Sequence, residues 1–215
     1  MKPNREPDPA YAYDLVVGSV FRDEAPYLRE WIEFHKMMGV QRFLLVNDRS
    51  TDNFADVLRP YVDAGEVDLL DRPCPPHLQG RGWIQYQLAV TSAILDRVRG
   101  LTRWLAIIDI DEFIVPAEAD DLIHLLREYD TFGGIYIRWE PFGTSYVAKF
   151  SAGDLVTDKL RMKWKFREGD EMLGKSIVKP DRVCRPNIHR CDLLAGVRYA
   201  DSNYSGPRKL DHRLS

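Results

Sequence analysis

The apolar run Trp104-Leu105-Ala106-Ile107-Ile108 stops abruptly at Asp109-Ile110-Asp111-Glu112. Consecutive apolar residues without alternation predict a strand buried on both faces, and such a strand needs a sheet with helices packed on either side. Open α/β sheets gather ligands at the carboxyl ends of their strands. Three carboxylates arriving there repel one another unless a cation sits among them. Hard divalent ions such as Mg²⁺ or Mn²⁺ take oxygen ligands and bring phosphate oxygens with them. The first expectation is therefore a metal-phosphate site.

The rest of the chain supplies the sheet and its covering helices. Residues 15–21 are strand-like, and Pro26 suits the first turn of a helix that carries Leu28, Trp31, Ile32, His35 and Met38 on one face and ends at Gly39. The pattern repeats: a strand at 42–47, a helix at 53–64 closed by Gly65, a short strand at 67–70, and a helix at 84–98 before Gly100. After the strand ending at Asp109, Asp120 or Asp121 can cap a helix bearing Leu122, Ile123, Leu125, Leu126 and Tyr129, and 134–139 reads as a further strand. This alternation predicts an α/β fold with a mostly parallel central sheet and helices on both faces. With 215 residues the expectation is one domain over 14–215, preceded by a flexible leader at 1–13 that holds three prolines. Beyond Phe142 the chain turns aromatic and basic with scattered Gly and Pro, which predicts loops and short strands; Trp164, Phe166 and Tyr199 line a groove there or extend the core.

Charge narrows the ligand class. Lys and Arg total 30 against 33 Asp and Glu, so no basic surface for nucleic acid is expected and an anionic ligand must be recognised locally. Cys74, Cys184 and Cys191 are an odd number in a chain without a secretory signal, which points to a reducing compartment. No run reaches transmembrane length. The expected location is the cytoplasm, with peripheral contact at the inner face of a membrane allowed. Cys184, His189 and Cys191 lack a fourth ligand for structural zinc and are expected as reduced thiols and a separate histidine.

Other acidic motifs fit poorly. A calcium loop needs alternating oxygen ligands and a central Gly, where this chain has Phe113-Ile114-Val115-Pro116. Two more polar segments follow predicted strands: Arg22-Asp23-Glu24, and the seven residues Asn47-Asp48-Arg49-Ser50-Thr51-Asp52-Asn53. Helix capping accounts for part of each. In a parallel sheet, though, both face the same crevice as Asp109, where Asn and Asp can bond a base edge or ribose hydroxyls.

Taken in order, residues 21–35, Gly39-Val40, residues 47–53, Asp109-Ile110-Asp111-Glu112-Phe113, Trp139-Glu140-Pro141-Phe142-Gly143 and Lys175-Ser176-Ile177-Val178-Lys179-Pro180 resemble the signature of glycosyltransferase family 92 and related family-2-like enzymes. The resemblance spans roughly residues 15–190 and implies that 14–115 is the nucleotide-binding half and 116–215 the acceptor and site-completing half. It implies a GT-A (nucleotide-diphospho-sugar transferase) fold, a nucleotide-sugar donor, usually a UDP-sugar, and a divalent metal held by the D-x-D and, in many members, by a later His, whose position His189 matches. It also matches Gln85 to a Gln between the base-binding loop and the D-x-D. The chain departs from the pattern in having Arg22-Asp23-Glu24 where Lys-Asn-Glu is usual.

The expected reaction is transfer of a sugar from a nucleotide diphosphate to a glycan, lipid-linked or other hydroxyl acceptor. Asp109, Asp111 and His189 are the expected ligands of Mn²⁺ or Mg²⁺, which stabilises the departing diphosphate. Arg22, Glu24, Asn47, Asp48, Gln85 and Lys175 are expected at the donor nucleotide, with Lys179 an alternative cation. Inversion, implied by the resemblance, needs a carboxylate to take the acceptor proton: Glu140 first, then Asp170 or Glu171. A nucleotidyltransferase or nucleotide-sugar pyrophosphorylase would use a similar acidic site but needs a Gly-rich basic phosphate loop that Gly18-Ser19-Val20-Phe21-Arg22 does not supply. An inactive carbohydrate-binding module of the same fold is the third reading.

Overall fold

A computed structural model describes residues 10–116, 119–151, 153–165, 173–201 and 210–214. Phe166, Asp170 and Glu171, named above, lie outside the described residues. The chain begins with β1 (Tyr13–Phe21), α1 (Ala25–Met37), β2 (Arg42–Asn47), α2 (Phe54–Asp63) and β3 (Val67–Asp71), followed by two short 3₁₀ turns. Next come α3 (Trp83–Val98), β4 (Thr102–Ile107), β5 (Glu112–Pro116), α4 (Leu122–Glu128) and β6 (Gly134–Pro141). The last elements are α5 (Val156–Lys159), β7 (Gly174–Val178), β8 (Val183–Arg185), β9 (Asp192–Leu193), β10 (Tyr199–Asp201) and β11 (Leu210–Leu214).

The strands lie in the order β3-β2-β1-β4-β7-β6-β11-β5, with β10 beside β6. From β3 to β4 every pairing is parallel. β7 then enters antiparallel between β4 and β6, which come much earlier in the chain. The mostly parallel α/β sheet is as expected. Its apolar strands show no alternation because their residues feed two cores. Leu15, Val17, Phe43, Leu45, Trp104 and Ala106 pack on the face covered by α1, α2 and α4. Val16, Leu44, Val46 and Leu105 pack on the face covered by α3 through Tyr86, Val90, Ile94 and Leu95. Helix ends follow local chemistry: α1 gives way to Gly39 at φ 94, a conformation glycine adopts without strain, and the Asp121 carboxylate accepts from the His124 N–H at 2.7 Å to cap α4.

Two boundaries differ from expectation. β4 stops at Ile107, so Asp109 and Asp111 sit in the turn between β4 and β5 and not on the strand itself. β5 itself starts at Glu112, directly after that turn. Among the described residues no helix is long and apolar enough to cross a membrane.

Candidate active site at the carboxyl edge of the sheet

Parallel pairing decides which loops meet. Phe21 at the end of β1 is in register with Asn47 at the end of β2, and Asn47 with Asp71. Gly18 of β1 opposes Ile107 at the end of β4. The loops that follow, 22–24, 48–53 and 108–111, therefore open at one edge.

The first two loops are stitched together. The Asp23 N–H donates to Ser50 Oγ at 2.9 Å, and Asp23 Oδ1 accepts from the Thr51 N–H at 2.6 Å and its hydroxyl at 3.2 Å. Asp23 holds φ 56, in the left-handed region that Asp and Asn tolerate better than other side chains. Asp at this position meets both demands, the positive φ and the acceptor for Thr51. These bonds keep the exposed Asp23 carboxyl below its usual range, the Thr51 N–H being the main cause. Asp52 Oδ2 accepts the Ala25 N–H at 2.7 Å, so the start of α1 is served from the other loop.

Glu24 occupies the N-cap position of α1 but makes no side-chain capping bond. Partial burial, then repulsion from Asp111, Asp52, Asp23 and Asp109, push its carboxyl up to about 7. Asp111 is open to solvent, yet surrounding protein withdraws enough water to raise its carboxyl, with the Asp109 charge adding to the effect. Glu24, Asp109 and Asp111 are thus brought into one region of surplus negative charge.

Among the described residues, one buried ammonium answers part of it. Lys175, on β7 and 5 % exposed, donates from Nζ to Asp109 Oδ2 at 2.9 Å and lies 3.9 Å from Glu112 Oε1. Glu112 is 1 % exposed, and its Oε2 accepts the Asp109 N–H at 2.9 Å. Burial drives the Glu112 carboxyl well above its usual range, opposed mainly by Lys175. The strand that begins at Glu112 is fixed from α1: Trp31 Nε1 donates to the Glu112 carbonyl at 2.9 Å, and the Ile114 N–H donates to His35 Nε2 at 3.3 Å. His35 Nδ1 in turn donates to the Trp31 carbonyl at 2.8 Å, so the buried imidazole is neutral with its proton on Nδ1.

His189 is partly buried beside Trp139, ring centroids 5.3 Å apart, and Trp139 lies 5.9 Å from the Lys175 ammonium. Its Nδ1 donates to the Gly174 carbonyl at 3.1 Å, which leaves Nε2 in the neutral ring with its lone pair available to a metal. Even so, among the described residues no three His, Cys, Asp or Glu side chains stand close enough together to hold a metal ion. Asp109, Asp111 and His189 do not form a ready-made cage. The donor set fits a metal whose remaining ligands are phosphate oxygens and water, the arrangement Mg²⁺ favours.

The other expected residues are placed as follows. Arg22 is exposed, with its guanidinium 3.7 Å from Asp23. Asn47 is committed to structure: Nδ2 donates to Asp71 at 2.8 Å, and Oδ1 accepts the Ser50 N–H at 2.9 Å. Asp48 is fully buried; its Oδ1 accepts from the Cys74 N–H at 2.7 Å and from Arg49 Nε at 3.0 Å. Both hold the loop floor. Gln85 is exposed in the first turn of α3, whereas Gln87 lines a cavity of about 20 Å³, roughly one water in size, together with Thr91, Ile108, Asp109 and Lys175. Helical spacing could have shown this, since Gln87 precedes Thr91 by one turn beside the apolar stripe Tyr86, Val90 and Ile94. Glu140, near the end of β6, is ion-paired with Lys163. Lys179 pairs with Asp130 at 2.8 Å, away from the acidic cluster. The three cysteines are free thiols.

The sequence profile of glycosyltransferase family 92 matches residues 17–196. A glycosyltransferase family 92 protein of Oryza sativa subsp. japonica is 28% identical over 210 residues, 91% of this chain and 34% of that protein. The beta-1,4-galactosyltransferase galt-1 of Caenorhabditis elegans is 24% identical over 210 residues, 91% of this chain and 46% of its own length. The chain thus spans less than half the length of either relative. Among solved structures, S. aureus TarS 1-349 in complex with UDP aligns with a TM-score of 0.45 and 13% identity, over 63% of this chain and 38% of that one. With the family profile covering most of its length, the chain belongs to glycosyltransferase family 92.

Proposed function

We propose that this protein transfers a hexose from a UDP-sugar to an acceptor hydroxyl, with inversion, using Mn²⁺ or Mg²⁺ at the Asp109–Asp111 turn. The observation that carries this reading is the convergence of Glu24, Asp109 and Asp111 with one buried ammonium, Lys175, at the carboxyl edge of a parallel sheet in a family 92 chain. Such a site carries more negative charge than its own cation neutralises, and it suits a ligand that arrives with a divalent ion. The names of the relatives, a beta-1,4-galactosyltransferase among them, support the hexose.

When bound, the metal would neutralise charge on the departing diphosphate. Asp109 and Asp111 would hold it, and His189 Nε2 would have to move in from beside Trp139 to serve as a third ligand. The protein's own residues do the rest. Glu112 and Trp31 fix the turn that carries the carboxylates, so little reorganisation is needed at the moment of reaction. Lys175 supplies a second positive charge toward the diphosphate. Arg22 and the Asp23–Thr51 stitch form the wall for base and ribose, with Gln87 in place of Gln85 as the amide at the site. Glu140 takes the acceptor proton, for which Lys163 must yield its place.

Thermal unfolding with UDP, GDP and CDP, each with and without Mn²⁺, tests this reading. UDP and Mn²⁺ together should stabilise the fold by about 2.7 kcal/mol at a hundredfold excess over Kd, and neither alone should do so. Asp111→Asn should abolish the shift with the fold intact. No shift with any pair overturns the donor site.

A further inference from the structure

Lys175 is placed oddly for a residue whose only task is to meet phosphate. Its ammonium is almost sealed from solvent and bonded to Asp109 Oδ2 at 2.9 Å, with Glu112 behind it at 3.9 Å. One of the carboxylate oxygens that a divalent ion would use is therefore already taken by a cation belonging to the chain. The tether is short, because Lys175 sits inside β7, where it opposes Ile137 of β6. Only its side chain can move. Glu112 keeps the Asp109 backbone in place whichever cation the carboxylate holds, since the bond to Oε2 comes from the main-chain N–H.

We propose that Lys175 is a resident counter-cation that competes with divalent metal for Asp109 and is transferred to the diphosphate when nucleotide arrives, making metal and nucleotide bind cooperatively. This rests on the donor-site reading above. Without nucleotide, a divalent ion at Asp109 must share its carboxylate with a buried ammonium or push it toward Glu112 and Asp111, still within a few ångströms of the ion. Charge repulsion weakens the ion in either case. A diphosphate brings acceptor oxygens that take the ammonium, so Asp109 becomes free for the metal at the moment the metal's other ligands appear. Linkage requires the reverse as well: metal must tighten nucleotide by the same factor. The chain thereby avoids filling the site with an idle metal ion.

The test is Mn²⁺ titration, read by the electron paramagnetic resonance of free Mn²⁺, with and without UDP. In the wild-type protein UDP should tighten Mn²⁺ by about tenfold or more, within the usual range of coupling between sites. Lys175→Met should tighten Mn²⁺ alone by at least about fivefold and shrink the effect of UDP, whereas Lys175→Arg, which keeps a cation, should resemble wild type. Because Lys175→Met strands a buried Glu112, the double variant Lys175→Met/Glu112→Gln carries the same measurement in a chain without that charge. Equal or weaker Mn²⁺ binding in both Met variants overturns the proposal. If Mn²⁺ alone tightens in the Met variants but UDP binds to no form of the protein, the competition at Asp109 stands, and both the donor-site reading and the cooperative transfer fall.

Discussion

His35 provides a measurement of how firmly the segment after the D-x-D is anchored. Its ring is fully buried in α1, donates to the Trp31 carbonyl and accepts from the Ile114 N–H, so it has no room for a second proton. Burial holds its pKa at about 4, against 6.5 for the free side chain. Because the folded value is the lower one, the unfolded chain binds a proton below pH 6.5 that the native state refuses. Stability from this group is complete above pH 6.5 and falls with pH until about 4. Between pH 6.5 and pH 5.0, at about 1.36 kcal/mol per unit, the loss is about 2 kcal/mol. Glu24 and Glu112 act in the opposite sense, since raised carboxyls take up protons in the native state as the pH falls. A raw pH profile would mix these contributions, whereas the difference between wild type and His35→Gln cancels the carboxyls. The amide of Gln can still donate and accept but does not titrate. Urea unfolding should show the variant less stable at pH 7.5 by about 1–3 kcal/mol, with the gap closing by about 2 kcal/mol at pH 5.0. A gap of the same size at both values would show that His35 is protonated without cost in the native state and would refute the brace.

Three further outcomes follow from the same contacts. Lys175→Met should cost about 3–5 kcal/mol in urea unfolding by removing the ammonium beside the buried Glu112, and adding Glu112→Gln should recover most of it. Gln85→Ala should leave UDP affinity in the presence of Mn²⁺ within about twofold, while Gln87→Ala, measured by calorimetry, should weaken it about five- to tenfold. Asp23→Asn should leave the melting temperature unchanged because Asn accepts φ 56 and keeps the acceptor for Thr51, whereas Asp23→Val should lower it through both the strained backbone and the lost stitch.

The parallel half was legible because burial on two faces leaves a plain mark: Leu15, Val16 and Val17 are all apolar since each successive side chain meets a different core. Asp109 and Asp111 were legible for the same reason, as polar groups where such a strand stops. The neighbouring Glu112 was harder. It reads as a third ligand, yet its carboxylate is turned inward to hold the Asp109 N–H, and only the apolar residues Phe113 and Ile114 behind it hint at burial. Asn47 and Asp48 look like ligand groups by type and position, but their partners Asp71 and Cys74 are 24 and 26 residues away, a pairing that no local pattern encodes. The antiparallel entry of β7 was invisible for a similar reason. A five-residue strand carries no information on which two strands it will separate.

That entry has a consequence for how the protein is made. β4 is complete by residue 107, but the strand that covers its open side begins at residue 174. Until then an apolar strand edge, with its row of unpaired amides and carbonyls, waits at the flank of a nascent parallel sheet, the situation that favours pairing with a second molecule. Over the same interval the acidic turn lacks its ammonium. Since β7 both closes the edge and delivers Lys175, a molecule stalled before it would be at once adhesive and incompetent for its ligand. The quality of folding and the acquisition of the site are therefore decided by one event, the docking of five residues.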